Sequence, residues 1–140
     1  KVYLSEDGTF AYALCGLLGN EKSIRVMENN MRTMLNAAER DGVFPEDEKY
    51  GLDFNQPFIV MSKNTVITGG MMGPRIVTDI DFITVGSGCN ESQAALVMGD
   101  SAIGAVEHAI RHCDSCGGPI QAITVDDLKD FIVIEKESEK

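Results

Sequence analysis

One long apolar stripe constrains the fold of this 140-residue chain more than any other feature. Residues 20–41 carry apolar side chains at three- and four-residue steps, which is the period of one helix face. Asn20 is a candidate N-cap, and Gly42 is a candidate stop signal. Because methionine fills irregular gaps in cores, the stripe indicates core packing rather than a cofactor or peptide groove. Its members are Ile24, Met27, Met31, Met34, Leu35 and Ala38.

Short strand signals surround this helix and predict an α+β fold. Residues 2–4 and 10–15 are typical of two strands joined by a turn, and residues 58–68 are typical of a hairpin. Strands cluster instead of alternating strictly with helices, which favours α+β over a doubly wound parallel sheet. No linker or repeat divides the chain, so we predict one domain over residues 1–140. The other predicted elements are strands at 75–80, 82–86, 120–125 and 132–135, and helices near 90–98 and 102–113.

The net charge of −10, from 22 acidic and 12 basic residues, limits the partners that the chain can bind. Nucleic acids and anionic membranes attract clustered Lys and Arg, whereas the basic residues here are scattered. We therefore expect no nucleic-acid partner and no membrane partner. No apolar run approaches the roughly 20 residues of a membrane-spanning helix.

The use of cysteine favours a reducing compartment. The cysteine count is even, but a chain of this length can fold without disulfides and its first residues do not resemble a secretory signal. We therefore predict a cytoplasmic, intracellular protein with reduced thiols. The four cysteines are Cys15, Cys89, Cys113 and Cys116.

A glycine-rich corner, "TVGSG" at residues 84–88, has the layout of a strand that turns into a helix. Backbone N–H groups at such a helix start can bind phosphate. The corner lacks the Lys-Ser/Thr pair of a Walker loop, and it has Gly86 and Gly88 but no third glycine of a dinucleotide fingerprint. We therefore predict a structural corner and no nucleotide cofactor.

Cys113 and Cys116 form a C-x-x-C motif just after two histidines, His108 and His112. Such a motif can be half of a zinc site or a redox pair. At about 100° per residue, Cys113 falls on the apolar stripe of its helix, away from both histidines. A buried Cys113 beside exposed histidines is therefore favoured, and a small zinc module remains a weaker alternative. The apolar stripe of this helix is Ile103, Val106, Ile110 and Cys113.

The order of these motifs resembles the proteasome β-subunit family, and most of all its bacterial HslV-type peptidases. The resemblance is carried by "ALCG" at 13–16, the amphipathic helix, the hairpin, "VGSG" at 85–88, two consecutive helices and "GGPI" at 117–120. It implies an N-terminal-nucleophile hydrolase fold, a four-layer αββα sandwich. It also implies a peptidase whose N-terminal Thr, Ser or Cys attacks the peptide carbonyl while its own α-amino group acts as the base.

Three residues match functional positions of that family directly. Lys1 falls at the lysine that lowers the pKa of the nucleophile's environment, and Gly16 falls at the glycine whose N–H forms the oxyanion hole. Ser87 falls at the supporting serine beside the nucleophile. The end of the strand at Gly16 is also where free N–H groups can face an anion.

The sequence departs from the family pattern just before Gly117 and Gly118, where the family has an Asp and a Ser. An ungapped match places Cys113 and Cys116 there, and Asp114 matches the Asp only with a one-residue shift. The family's nucleophile and its early Asp lie in an opening hairpin upstream of Lys1, so we expect that hairpin to be encoded upstream. The catalytic candidates are thus Lys1, Gly16, Ser87 and Asp114, with no metal and no cofactor.

Two functions follow from the resemblance. The first is a threonine-type peptidase subunit whose nucleophile lies outside the 140 residues, so that these residues alone are inactive. The second is a structural or assembly protein that retains the fold without the chemistry. A homo-oligomer is implied in both cases, and a peptide substrate and an unfoldase partner are implied in the first.

Overall fold

The computed structural model describes residues 2–15, 21–42, 57–69, 74–78 and 82–134, with only the backbone of residues 21–23. Contacts divide the chain into two compact units. The larger unit comprises Val2–Thr78 and Ile123–Lys140, and the smaller unit comprises Lys1 and Asp79–Ala122. The structure does not test the single domain or the four-layer sandwich, so both remain predictions.

A five-stranded antiparallel sheet is the framework of the larger unit. Its strands lie in chain order, each paired antiparallel with the next, and helix α1 (Glu21–Asp41) connects the second strand to the third. The strands predicted at 2–4, in 10–15 and in the 58–68 hairpin are confirmed. The strands are β1 (Val2–Leu4), β2 (Ala11–Leu14), β3 (Phe58–Met61), β4 (Val66–Gly69) and β5 (Arg75–Ile76).

One face of this sheet packs against α1. Directly paired residues of neighbouring strands point to the same face, and one such row crosses all five strands with apolar or aromatic side chains. Tyr12, Val60 and Ile67 of this row share a core with Met31 and Leu35 of α1. The prediction that the methionine stripe is core packing is therefore confirmed. The complete row is Tyr3, Tyr12, Val60, Ile67 and Ile76.

Three segments that were predicted as strands are irregular where the structure describes them, so those predictions are wrong. Apolar content alone suggested strands, but a strand also needs a neighbour that continues its hydrogen-bond ladder. The backbone of Ile134 is instead bound by a side chain of α1: its N–H donates to Asn36 Oδ1 (2.5 Å), and its carbonyl accepts from Asn36 Nδ2 (2.9 Å). The irregular segments are 82–85, 120–124 and 132–134, and Val125–Asp127 form a 3-10 turn.

The turn between β1 and β2 is held by the carboxylate of Asp7. It accepts hydrogen bonds from Ser5 Oγ (2.9 Å), from the N–H and hydroxyl of Thr9 (3.1 and 2.8 Å), and from Nη1 of Arg32 in α1 (2.6 Å). Burial raises the pKa of Asp7, but the hydrogen bonds from Arg32, Thr9 and Ser5 outweigh it and hold the pKa far below 3.8. The ionised carboxylate therefore ties the turn to α1.

We expect Asp7→Asn to lower the free energy of unfolding by about 1 kcal/mol, a modest loss because the side chain is 46% exposed and water screens the ion pair. A carboxylate with a lowered pKa stabilises the fold above its unfolded-state pKa of about 4 and loses that contribution as the pH falls through the folded-state value. The difference between wild type and variant should thus be full at neutral pH and shrink in acid.

Chemical denaturation followed by tyrosine fluorescence measures this difference. Asp130→Asn is the control, since its carboxylate is 91% exposed and pairs only with Lys63 among the described contacts, so it should cost no more than about 0.5 kcal/mol. A loss for Asp7→Asn that grows as the pH falls would contradict the assignment.

The smaller unit is built on two consecutive helices, α2 (Cys89–Val97) and α3 (Ala102–His112), which confirms the predicted pair. Their buried residues are small, and Ala95, Ala105 and Ala109 are all at least nine-tenths buried. Ile103 and Val106 are 50% and 42% exposed, so the stripe predicted from them is not the buried face. The predicted stripe was chosen from the large apolar side chains, but the residues that α2 and α3 bury are mainly alanines.

Candidate functional site

Two of the four predicted catalytic residues can be placed. Lys1 and Gly16 lie outside the described residues. Ser87 and Asp114 both belong to the smaller unit, and both are exposed. The candidate site is therefore built from the glycine corner before α2 and the turn after α3.

The corner at residues 86–88 is a tight turn that leads directly into α2. Gly86 has a φ of 103°, which non-glycine residues rarely adopt, and its carbonyl accepts a hydrogen bond from the N–H of Cys89 (3.1 Å). The carbonyl of Gly88 then accepts from both the N–H (3.0 Å) and the hydroxyl (2.9 Å) of Ser92. The predicted turn-to-helix corner is confirmed, although no strand precedes it at 82–85.

The C-x-x-C motif forms a second turn at the end of α3. The N–H of Cys113 donates to Ala109 O (2.8 Å) and closes the helix, and the N–H of Cys116 donates to Cys113 O (3.1 Å). This last bond is that of a four-residue turn, in which the first and fourth Cα atoms lie within about 7 Å of each other. Asp114 and Ser115 occupy its two central positions.

The corner and the turn contact each other through the two cysteines. Cys113 Sγ lies 3.7 Å from the carbonyl oxygen of Ser87, and the Ser87 side chain lies close enough to Cys116 to lower the pKa of that thiol. Cys116 Sγ also lies only 2.6 Å from where a Cβ on Gly88 would stand. Glycine at position 88 is therefore what lets the Cys116 thiol approach the corner.

The surroundings of the two thiols shift their pKa values in opposite directions. Hydrogen bonds from the side chain of Ser115 (Oγ to Sγ, 3.2 Å), from its backbone and from the Cys116 thiol lower the pKa of Cys113. The hydrogen bond with Cys113 and some burial raise the pKa of Cys116, partly offset by a hydrogen bond from Ser87. Glu91 raises the pKa of both thiols through its negative charge. Cys113 is therefore the more acidic thiol of the pair.

The prediction of a buried Cys113 on the apolar face is wrong. Its side chain is only partly buried, because α3 ends at His112 and the residue after it no longer follows the helical period. His112 is exposed as predicted, whereas His108 is half-buried, and their ring centroids lie 4.4 Å apart. The spacing of the C-x-x-C motif was the signal that could have located this thiol pair.

Asp114 is exposed in the turn, and its catalytic role stays a prediction. Among the described contacts, those that join the turn to the corner run through Cys113 and Cys116 rather than through Asp114. Over the same part of the chain, no three His, Cys, Asp or Glu side chains come together as metal ligands.

A separate hollow of about 460 Å³ lies between α2 and α3. It brings together one imidazole and one carboxylate, but the Asp100 carboxylate already accepts a hydrogen bond from Ser101 N (2.8 Å). Because its other lining groups are apolar or backbone, it is a weaker candidate than the thiol cluster. Its lining residues are Ala94, Ala95, Met98, Gly99, Asp100 and His108.

Comparison with known proteins adds no assignment: no protein-family model matches the chain, and a search of curated proteins finds no match. Within the described ranges, none of the helices has both the length and the apolar character needed to cross a bilayer. Function must therefore be argued from the residues of the site.

Proposed function

We propose that this chain is the main part of a proteasome-β/HslV-like peptidase subunit that hydrolyses peptide bonds with an N-terminal nucleophile outside the 140 residues. The observation that supports this proposal best is the contact between the glycine corner and the turn after α3. The resemblance assigns both segments to support of one nucleophile, and Ser87 stands exposed where they meet.

In the proposed reaction, the hydroxyl or thiol of the N-terminal residue attacks the peptide carbonyl, and the α-amino group of the same residue accepts its proton. The acyl-enzyme is then hydrolysed by water, and no cofactor is needed. Ser87 acts as a positioning residue that holds the nucleophile's amino group, while Lys1 and the N–H of Gly16 take the roles that the resemblance implies.

The proposal includes assembly and location. A homo-oligomer, an unfoldase partner that delivers peptide substrates, and a cytoplasmic location all belong to the same family pattern. The acidic charge of −10 supports the further proposal that neither nucleic acid nor an anionic membrane is a partner.

A non-catalytic scaffold with the same fold is the second candidate, and one observation favours it. The ungapped match has Cys113 and Cys116 in place of the family's Asp and Ser, and Cys113 Sγ contacts the Ser87 carbonyl instead. The family's carboxylate is therefore missing from the ungapped match. A scaffold would bind its partners without turning over peptides.

Peptide hydrolysis by the natural full-length protein distinguishes the two candidates. We expect the wild type to cleave unstructured fluorogenic peptides and Ser87→Ala to lower kcat by roughly 100-fold, since loss of one preorganised polar group has an effect of that size. Thr33→Ala removes an exposed hydroxyl from α1 and is the matched control.

The pH profile shows whether Ser87 acts through the nucleophile. A positioning role moves the pH dependence of kcat in Ser87→Ala, whereas a purely structural role leaves its shape unchanged. Wild-type protein that binds peptides without cleaving them would reject the peptidase in favour of the scaffold.

A further inference from the structure

The turn after α3 holds two free thiols at a separation that suits a disulfide. All four cysteines are reduced in the structure, and Cys113 and Cys116 begin and end one hydrogen-bonded turn. Disulfides join Cα atoms about 4.4–6.8 Å apart, a range that overlaps the span of such a turn. The two sulfurs can therefore be bridged with little backbone movement.

The hydrogen bonds at this turn distinguish the two thiols. Cys113 Sγ has the Ser115 hydroxyl at 3.2 Å and the Cys116 thiol as neighbours, and both can donate a hydrogen bond to a thiolate. The backbone N–H of Cys116 donates to Cys113 O (3.1 Å), and Cys116 Sγ stands against Gly88. One sulfur is thus stabilised as the nucleophile, and the other is held ready beside it.

Both thiols are accessible to a small disulfide. Both cysteines are partly exposed, and the central residues of their turn, Asp114 and Ser115, are exposed. The other cysteine of the smaller unit, Cys89, lies on the first turn of α2 with its thiol 3.9 Å from Asn90 Oδ1. It provides an internal comparison within the same unit.

We propose that Cys113 and Cys116 are a redox-active dithiol that exchanges with low-molecular-weight disulfides. The Cys113 thiolate attacks one sulfur of the small disulfide, which forms a mixed disulfide and releases the first small thiolate. Cys116 then loses its proton to water and attacks Cys113 Sγ, which closes the protein disulfide and releases the second small thiolate. Water supplies the protons that convert the released thiolates to thiols. One disulfide is reduced and one is formed, so the electrons balance.

Closure of this disulfide changes the candidate site, because Cys116 Sγ stands against Gly88 of the corner in the reduced form. Formation of the bridge turns that sulfur toward Cys113 Sγ and so alters its contact with the corner. The corner is thereby coupled to the redox state of the turn. The exchange itself does not depend on peptide hydrolysis, so the dithiol stands or falls separately from the proposed peptidase.

Incubation of the full chain with glutathione disulfide tests the dithiol, and peptide mapping by mass spectrometry gives the result. We expect wild-type protein to form one intramolecular disulfide between Cys113 and Cys116 while Cys15 and Cys89 stay reduced. Four free thiols after incubation, or a disulfide that includes Cys89, would overturn the proposal.

Single-cysteine variants test the assigned roles. Cys116→Ser should trap a stable glutathione adduct on Cys113, because the resolving thiol is gone, and Cys113→Ser should form its adduct on Cys116 several-fold more slowly. Cys89→Ser is the matched control and should close the disulfide as the wild type does. The disulfide mapping of the wild type identifies the paired cysteines even if a variant folds poorly. If the glutathione adduct forms as fast in Cys113→Ser as in Cys116→Ser, Cys113 is not the attacking thiol.

Discussion

Phe58→Ala is expected to lower the free energy of unfolding of the larger unit by about 3–5 kcal/mol. Phe58 is 1% exposed and lies in β3, opposite Leu14 of β2 and Gly69 of β4. Its ring fills the space over Gly69, where any Cβ would collide with it. Truncation therefore leaves a cavity between the sheet and α1 that the surrounding strands cannot easily close.

Ile59→Ala is the matched control for this cavity. Ile59 is the next residue of the same strand, so it points to the opposite face of the sheet, and it is only partly buried. Its truncation should lower the free energy of unfolding clearly less than Phe58→Ala does.

The chain has no Trp, and the described tyrosines, Tyr3 and Tyr12, lie in β1 and β2, so tyrosine fluorescence in a denaturant titration reports on the larger unit. Equal losses for the two variants would contradict the packing of α1 on this face.

Gly88→Ala is expected to destabilise the smaller unit by about 1–3 kcal/mol, the usual cost of overpacking a close contact. The added Cβ would stand 2.6 Å from Cys116 Sγ and 3.0 Å from the Cβ of Ala109 in α3. A thiol can rotate away, but the Cβ of Ala109 is fixed by its helix, so the corner has to move. We therefore also expect faster alkylation of Cys116.

Gly117→Ala separates this contact from a general effect of replacing glycine. No atom lies within 4 Å of a Cβ placed on Gly117, so this neighbour of the same turn should tolerate alanine. Amide hydrogen exchange of α2 and α3, with thiol alkylation in parallel, measures both variants. Similar exchange and similar Cys116 reactivity in the two variants would show that the corner does not pack against the turn.

The elements that the sequence predicted well are those with a complete local signal. The α1 stripe repeats over 21 helical residues, and the strands of the β1–β2 and β3–β4 pairs are joined by short turns. The segments at 82–85, 120–124 and 132–134 were misjudged because apolar content does not show which partner completes a ladder. In the last of these segments the partner is the Asn36 side chain, which leaves no mark on the local pattern.

The candidate site was predictable as two motifs but not as one cluster. Both Gly-Ser-Gly and C-x-x-C can be recognised in the sequence, and the family resemblance placed Ser87 beside a nucleophile and the two cysteines where the family has an Asp and a Ser. The contact between the two motifs depends on the end of α3 at His112. The sequence-based prediction continued the helix through Cys113 and therefore placed its thiol on the apolar face. The absence of a side chain at Gly88 matters only once Cys116 is known to face it.

Covalent labelling tests the proposed N-terminal nucleophile. The purified natural protein is treated with an electrophile directed at N-terminal nucleophiles, and intact mass with peptide mapping locates the adduct. We expect one adduct on an N-terminal Thr, Ser or Cys together with loss of peptide hydrolysis. Protein that stays unlabelled at its N-terminus, or that hydrolyses peptides equally well once labelled there, would contradict it.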